Sequence, residues 1–381
     1  MLAALPMAVA PFAHAEVEDL DHLIPPGYTP EQEKDEKGLW LEFEEIEAEM
    51  NKSALLVRDP ELTNYVDRIV CRVAAAYCDD FRVYVVRNPN FNASMTATGM
   101  MQVWTGLIVR ASSTDEIAAV VAHEIAHYTR LHSLETLRAL KRKMAKGAFF
   151  DIFLTAATGV YGLGQAAAAV SFLSFSREQE TEADLLGLKL LVQAQHDPHA
   201  SYRVWQQIIA EEKAASVKRE DPGVFAKTHP ESEARMGYLK TLVESRYGPP
   251  DAELAADQEF LDVLNRHYMF LMEDQLDTNR FGRTTAILER HAAIGIDPSL
   301  VRYFYGEMFR QRNEPGDMDL AMASYQHSIE GGNPPAAVYK NLGYLHLKKG
   351  ENESAQENFR QYLIADPEAS DRAMIEFYLE E

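Results

Sequence analysis

His123, Glu124 and His127 stand in the order His-Glu-x-x-His inside the apolar, alanine-rich segment Val120-Val121-Ala122-His123-Glu124-Ile125-Ala126-His127. On a helix, positions four apart share a face, so both imidazoles can reach one metal ion. Glu124 then projects beside the metal rather than onto it, where its carboxylate can accept a proton from a water that the metal acidifies. The pattern is that of metal-assisted peptide-bond hydrolysis, with Glu124 as general base.

A second acidic run, Glu180-Thr181-Glu182-Ala183-Asp184, is where a third ligand is expected. Glu180 and Asp184 are four apart and share a helix face, so Glu180 can complete the metal site while Asp184 hydrogen-bonds a ligand histidine. A solvated acidic face is the plainer explanation of such a run. Leu185, Leu188 and Val192 show that the helix packs, however, and an acidic face turned inward needs a cationic partner. His229, in Thr228-His229-Pro230, stands in a turn braced by proline, and residue physics alone gives it no role.

The elements that must carry these groups announce themselves locally. Ser113-Thr114-Asp115-Glu116 is a capping box that opens a helix through both histidines, and Ser176 with Gln179 opens the one holding Glu180. Upstream, residues 39–50 carry Trp40, Phe43 and Ile46 at helical spacing. Asp59-Pro60 starts a second helix, with Leu62, Tyr65, Val66, Ile69 and Val73 on one face, that ends near Cys78. Phe81 to Val86 and Met100 to Trp104 have strand composition, which places a small sheet just before the His-Glu-x-x-His helix. Met100 to Trp104 reads either as plain core or as a strand with a free edge onto which an extended substrate could add. Cys71 and Cys78 are too far apart on an unbroken helix to bond, so a disulfide between them requires the helix to end near Tyr77 and turn back.

A length of 381 residues suits two domains, and 46% hydrophobic content supports packed cores. The formal charge of −22 argues against nucleic acid or anionic lipid as partner. Residues 1–15 match a signal-peptide core with an Ala13-His14-Ala15 cleavage site, although without a basic start, and so point to export. Residues 16–37 are rich in Pro, Glu, Asp and Lys and read as a flexible acidic arm. The most apolar stretch, residues 147–175, is broken by Asp151 and by Gly159 to Gly164. It therefore reads as two buried or surface-docking helices rather than a transmembrane span, with peripheral membrane contact as the alternative. Gly248-Pro249-Pro250-Asp251 looks like a linker. Beyond it Ala286, Ala321 and Ala355 recur at spacings of 35 and 34, trailed by Pro298, Pro334 and Pro367. The best unit, with Tyr339, Leu342-Gly343, Ala355, Phe359 and Pro367, has the offsets of a tetratricopeptide repeat.

Residues 38–381 resemble the zinc metallopeptidases of the HtpX and CaaX prenyl protease family, and within it the soluble periplasmic branch with tetratricopeptide repeats, the beta-barrel assembly-enhancing type. The likeness rests on His-Glu-x-x-His with its extension to His132-Ser133, on Asn92-Ala93 and Thr105-Gly106-Leu107 upstream, and on Ser176-Arg177, Glu180 and Ala183-Asp184 downstream. After Asn92-Ala93 the family shows a proline or paired glycine where this chain has Ser94 to Gly99. The resemblance implies that Glu180, not Glu182, is the third ligand, that Asp184 supports the site, and that one zinc ion is held per chain. It also implies that His229 is an active-site histidine, stabilising the oxyanion or capping the metal.

The expected architecture is α+β, mainly α: a gluzincin domain over 38–248 with a small sheet beside the catalytic helix, then an all-α tetratricopeptide-like domain over 249–381. The expected function is a periplasmic zinc metalloendopeptidase acting on misfolded or unassembled proteins. Its repeats would recruit protein substrates or the envelope assembly machinery. A non-proteolytic chaperone or adaptor is the rival reading, and an intact general base speaks against it.

Overall fold

The structure is a computed structural model that describes residues 23–29, 34–143, 175–215, 229, 232–250 and 257–380. The expected signal peptide, most of the apolar stretch 147–175, and Thr228 and Pro230 lie outside the described residues. No helix among the described residues is long and apolar enough to cross a membrane.

Helix α1 (Lys34–Met50) is followed by α2 (Pro60–Ala74), whose cap is Asp59: its carboxylate accepts the N–H groups of Glu61 and Leu62. Leu62, Tyr65, Val66, Ile69 and Val73 form the buried face. The helix stops at Ala74, earlier than the sequence suggests, because Ala75 takes a φ of 52° and the chain enters a tight 3-10 turn over Ala75–Asp80. That break brings the Cα atoms of Cys71 and Cys78 to 4.7 Å, and the two form a disulfide. Within the stretch expected to be a flexible arm, the segment around Ile24 is held in place. Ile24 is buried, its N–H donates to Thr129 O at 3.0 Å, and Tyr77 Oη donates to its carbonyl at 2.7 Å. Further on, Gly27 N–H donates to the Asp80 carboxylate.

Strands β1 (Arg82–Val86), β2 (Ala93–Met95) and β3 (Met100–Trp104) form one sheet in the order β1-β3-β2. Strand β1 runs parallel to β3 and β2 antiparallel to it, with Ala93 opposite Val103 and Met95 opposite Met101. Met100 to Trp104 is thus the central strand, buried at all five positions. Of the two readings of this stretch, plain core holds and a free edge does not, since its backbone is paired on both sides. Gly99 turns the β2–β3 hairpin at φ 84°, and a Cβ there would lie 2.2 Å from Asp80 O.

A short helix α3 (Thr105–Ile108) leads to α4 (Thr114–Thr129), which carries both histidines. Ser113 caps α4 by accepting the Glu116 N–H, but the Glu116 carboxylate accepts from Ser112 N–H instead of returning to Ser113. From Glu116 to Thr129 every side chain is buried. Helix α5 (His132–Lys143) follows a turn at Leu131. Helix α6 (Arg177–Gln193) opens with the complete Ser176–Gln179 capping box and lies against α4 through Ala126, Ala183 and Leu186. Small residues allow this close approach. A Cβ on Gly187 would stand 3.1 Å from the Cα and N of His123.

Among the described residues, helices α7 (Ala200–Ala214) and α8 (Ser232–Tyr247) also border the site. Then come α9 (Gln258–Asp277), α10 (Phe281–Ile294), α11 (Pro298–Arg312), α12 (Asp317–Glu330), α13 (Ala337–Lys349), α14 (Asn352–Ala365) and α15 (Arg372–Glu380). Helix α11 packs on α12 and α13 on α14. In each pair a glycine admits a ring: Cβ atoms on Gly306 and Gly343 would lie 2.4 and 2.5 Å from Tyr325 and Phe359. The helical part is wired to the first part by buried polar bonds. His291 Nε2–H donates to Val109 O at 2.8 Å, and Arg110 binds Glu211, Gln275 and the carbonyls of Pro89 and Gly106.

Because α6 meets the backbone of His123 at Gly187, Gly187→Val should force the two helices apart. A loss of about 1–3 kcal/mol of stability is expected, read as a lower denaturant midpoint, together with weaker metal binding. An unchanged midpoint would show that the contact is slack.

Candidate metal centre

One helical turn separates His123 and His127, and α4 presents both rings to the same side. Their Nε2 atoms lie 3.0 Å apart. Glu180 comes from the first turn of α6 and His229 from the segment ahead of α8. His229 Nδ1 is 3.2 Å from His123 Nε2 and 3.0 Å from Glu180 Oε1. Glu180 divides its oxygens: Oε1 is 3.6 Å from His127 Nε2, while Oε2 is 3.6 Å from His123 Nε2 and pairs with Arg235. All four side chains are buried, and their potential ligand atoms lie within 4.8 Å of one another.

This donor set fits a cation. Ligands at zinc bond lengths on a tetrahedron stand about 3.3 Å from each other, and the separations above bracket that value. His123 Nε2 alone faces two imidazole nitrogens and a carboxylate oxygen, more lone pairs than a single proton can satisfy. Arg235 reaches His123 Nε2 at 3.4 Å and pairs with Glu180, and burying this many lone pairs together is unfavourable without a further positive centre.

The outer partners fix the rings. His123 Nδ1 is 3.1 Å from Asp184 Oδ1, the bond expected of a carboxylate that orients a ligand histidine. Asp184 is in turn held by Arg235, whose Nε donates at 2.8 Å, and by the Tyr238 hydroxyl. Arg235 is itself buried, with its guanidinium 4.4 Å from the centre of the Trp205 ring. His127 Nδ1 bonds His132 Nδ1 at 2.9 Å, and Phe175 stacks on the His127 ring at 3.9 Å.

Electrostatics follow from burial and these contacts. Burial works against charge on His123, yet Asp184 and Glu180 outweigh it and push its pKa up to about 9. Burial, then His123, drives His127 far down. Burial and Arg130 hold His132 down at about 4. Burial opposes ionisation of Asp184 and Glu180, but Arg235 holds Asp184 at about 2, and His229, His123 and Arg235 keep Glu180 well below the usual carboxylate range. Glu124 is buried and its pKa is raised, mainly by desolvation. Its Oε1 makes no hydrogen bond and lies 3.4 Å from His229 Nε2.

The structure therefore brings together His123, Glu124, His127, Glu180, Asp184 and His229. Glu182, two residues from Glu180, points elsewhere, to Arg130 and His132. Sequence reasoning gave no role to Arg235 or Tyr238. The one available signal was the spacing of an arginine and a tyrosine three apart on α8, which is common on any helix.

Residues 57–243, which include all of these groups, match peptidase family M48. The chain is 33% identical over 180 residues to the mitochondrial metalloendopeptidase OMA1 of Schizosaccharomyces pombe, covering 46% of this chain and 51% of that protein. To the beta-barrel assembly-enhancing protease of Yersinia pestis it is 30% identical over 224 residues, covering 56% of this chain and 45% of the relative. The corresponding Escherichia coli K12 protein is 25% identical over 199 residues, 49% of this chain and 40% of its own length. The chain spans about half the length of the curated relatives it matches.

If His123 and His127 of α4 and Glu180 of α6 hold a metal, the purified chain should carry about one metal ion. His123→Ala or His127→Ala should abolish stoichiometric binding, measured by elemental analysis after dialysis. Full retention in His127→Ala would overturn the ligand assignment.

Proposed function

Residues 57–243 form a peptidase family M48 domain, and from that premise we propose that the chain is a zinc-dependent endopeptidase in which His123, His127 and Glu180 hold the metal and Glu124 is the general base. The observation that carries the reading is the free oxygen of Glu124, buried beside the ligand cluster and engaged by no hydrogen bond. Zinc held there would supply Lewis acidity, polarising the scissile carbonyl and acidifying water. Glu124 would take the proton of the attacking water on Oε1 as the water oxygen adds to the scissile carbonyl carbon, and would hand it to the amine nitrogen as the C–N bond breaks. Asp184, locked by Arg235, holds the His123 ring in place.

The wider setting is proposed on three supports. The curated relatives are named for beta-barrel assembly enhancement and for a mitochondrial metalloendopeptidase. The first residues of the sequence match an export signal. The glycine-to-ring contacts in the α11–α12 and α13–α14 pairs suit a repeat of the tetratricopeptide kind. The assembly-enhancing relatives, the first residues and the repeat-like pairs together favour an exported envelope protease for misfolded or unassembled proteins, whereas the mitochondrial relative supports the protease reading without the location. In this reading the protease domain spans 38–248 and the helical domain over 249–381 recruits substrate or assembly machinery.

Glu124→Gln keeps shape and removes proton acceptance. It should retain metal and fold yet lose hydrolysis of an unfolded substrate such as casein by about 10²-fold or more. Undiminished cleavage would place the chemistry elsewhere. A parent chain, loaded with metal, that binds unfolded protein without cleaving it would favour the chaperone or adaptor reading.

His229 is read as a fourth ligand in the resting arrangement, because its Nδ1 stands among the ligand atoms. An imidazole there excludes water from the metal's open position. His229→Ala should then raise basal proteolysis while metal stays bound. A fall in turnover of about 10²-fold would instead make His229 an oxyanion donor.

A further inference from the structure

Two ligand histidines lean on two different outer partners. His123 Nδ1 meets a carboxylate directly, Asp184 at 3.1 Å. His127 Nδ1 meets a second imidazole, His132 Nδ1, at 2.9 Å, and His132 Nε2 meets Glu182 Oε2 at 3.1 Å. The other Glu182 oxygen pairs with Arg130.

The protons in this chain can be arranged in only one way if His127 Nε2 is to offer a lone pair to a metal. His127 must then carry its proton on Nδ1 and donate it to His132 Nδ1. His132 Nδ1 is thereby an acceptor, so its own proton sits on Nε2 and is donated to Glu182. Each link forces the next, from a carboxylate to a ligand nitrogen.

The fold delivers this chain through features otherwise unexplained. Leu131 has a φ of 56°, a left-handed turn that folds the chain back so that the first residue of α5 reaches the last turn of α4. Glu182 lies midway between Glu180 and Asp184, so α6 sends those two inward and Glu182 toward His132. The His132 side chain is 2% exposed and that of Glu182 36%, so the relay runs from the buried centre to the surface.

We propose that His132 and Glu182 are positioning residues: by the chain Glu182–His132–His127 they set the tautomer and ring orientation of His127, as Asp184 does for His123. The inference rests on the metal-site reading above. It means that Glu182, though no ligand, tunes how tightly the metal is held.

The test uses the full chain and zinc with a competing chelator. His132→Ala should weaken zinc affinity about 10- to 100-fold while still filling at saturating zinc. Glu182→Ala should weaken it less. His132→Gln can accept from His127 through its amide oxygen and donate to Glu182 through its amide nitrogen, so it should recover much of the loss. Arg130→Ala removes the ion pair to the outer Glu182 oxygen and should bind like the parent. Nitrogen-detected NMR of the zinc-loaded parent should show His127 protonated on Nδ1 and His132 on Nε2, a readout that a packing role would not set. Unchanged affinity in His132→Ala, a His132 proton on Nδ1, or an equal loss in Arg130→Ala and Glu182→Ala would overturn the proposal. A parent chain that binds no zinc would instead remove the metal site itself, and so the two failures are distinguishable.

Discussion

Charge balance in a dry interior is the constraint on which the rest of the structure depends. Glu124, Glu180 and Asp184 are buried together with the guanidinium of Arg235. With all three ionised and the imidazoles neutral, one positive charge leaves two negatives uncompensated, the charge of one divalent cation. Burying such an excess is costly unless it is matched. Without a metal, protons take its place: the elevated pKa of His123 and the raised pKa of Glu124 are both ways of removing net negative charge. Metal binding at such a site is coupled to proton release.

Dryness is achieved by surrounding α4. The central strand β3 is paired on both sides, α2 and the sheet cover one flank, and α6 closes the other through Ala126, Ala183 and Leu186 with Gly187 against His123. The Ile24 segment is tied to the end of the same helix at Thr129. A helix buried on every side has no amphipathic stripe, which is why the alanine-rich run around the histidines looks uniformly apolar.

The helical C-terminal part is coupled to this centre by buried polar bonds rather than by apolar packing alone. Arg110, just before α4, is held by Glu211 of α7 and Gln275 of α9, while Arg290 of α10 also pairs with Glu211. A buried arginine must have such partners. The bonds therefore fix the register between the segment leading into α4 and helices α9 and α10.

Whatever depends on spacing within one element was legible in the sequence. The shared face of His123 and His127, the cap at Ser113, the complete box at Ser176 and Gln179, the cap at Asp59 and the shared face of Glu180 and Asp184 all follow from the 3.6-residue period and end chemistry of helices. Strands β1 and β3 were legible in composition, whereas the short β2 and the order of the sheet were not, since pairing is a choice among partners distant in sequence. Met100 to Trp104 became central for that reason. The early end of α2 turned on a single backbone angle at Ala75 that no residue type there announces. Arg235 beneath Asp184, and Glu182 reaching His127 through His132, were likewise beyond the sequence. Those contacts join four separate elements, and only the packing of α4, α5, α6 and α8 against one another decides which of many arginines and carboxylates meet in the interior.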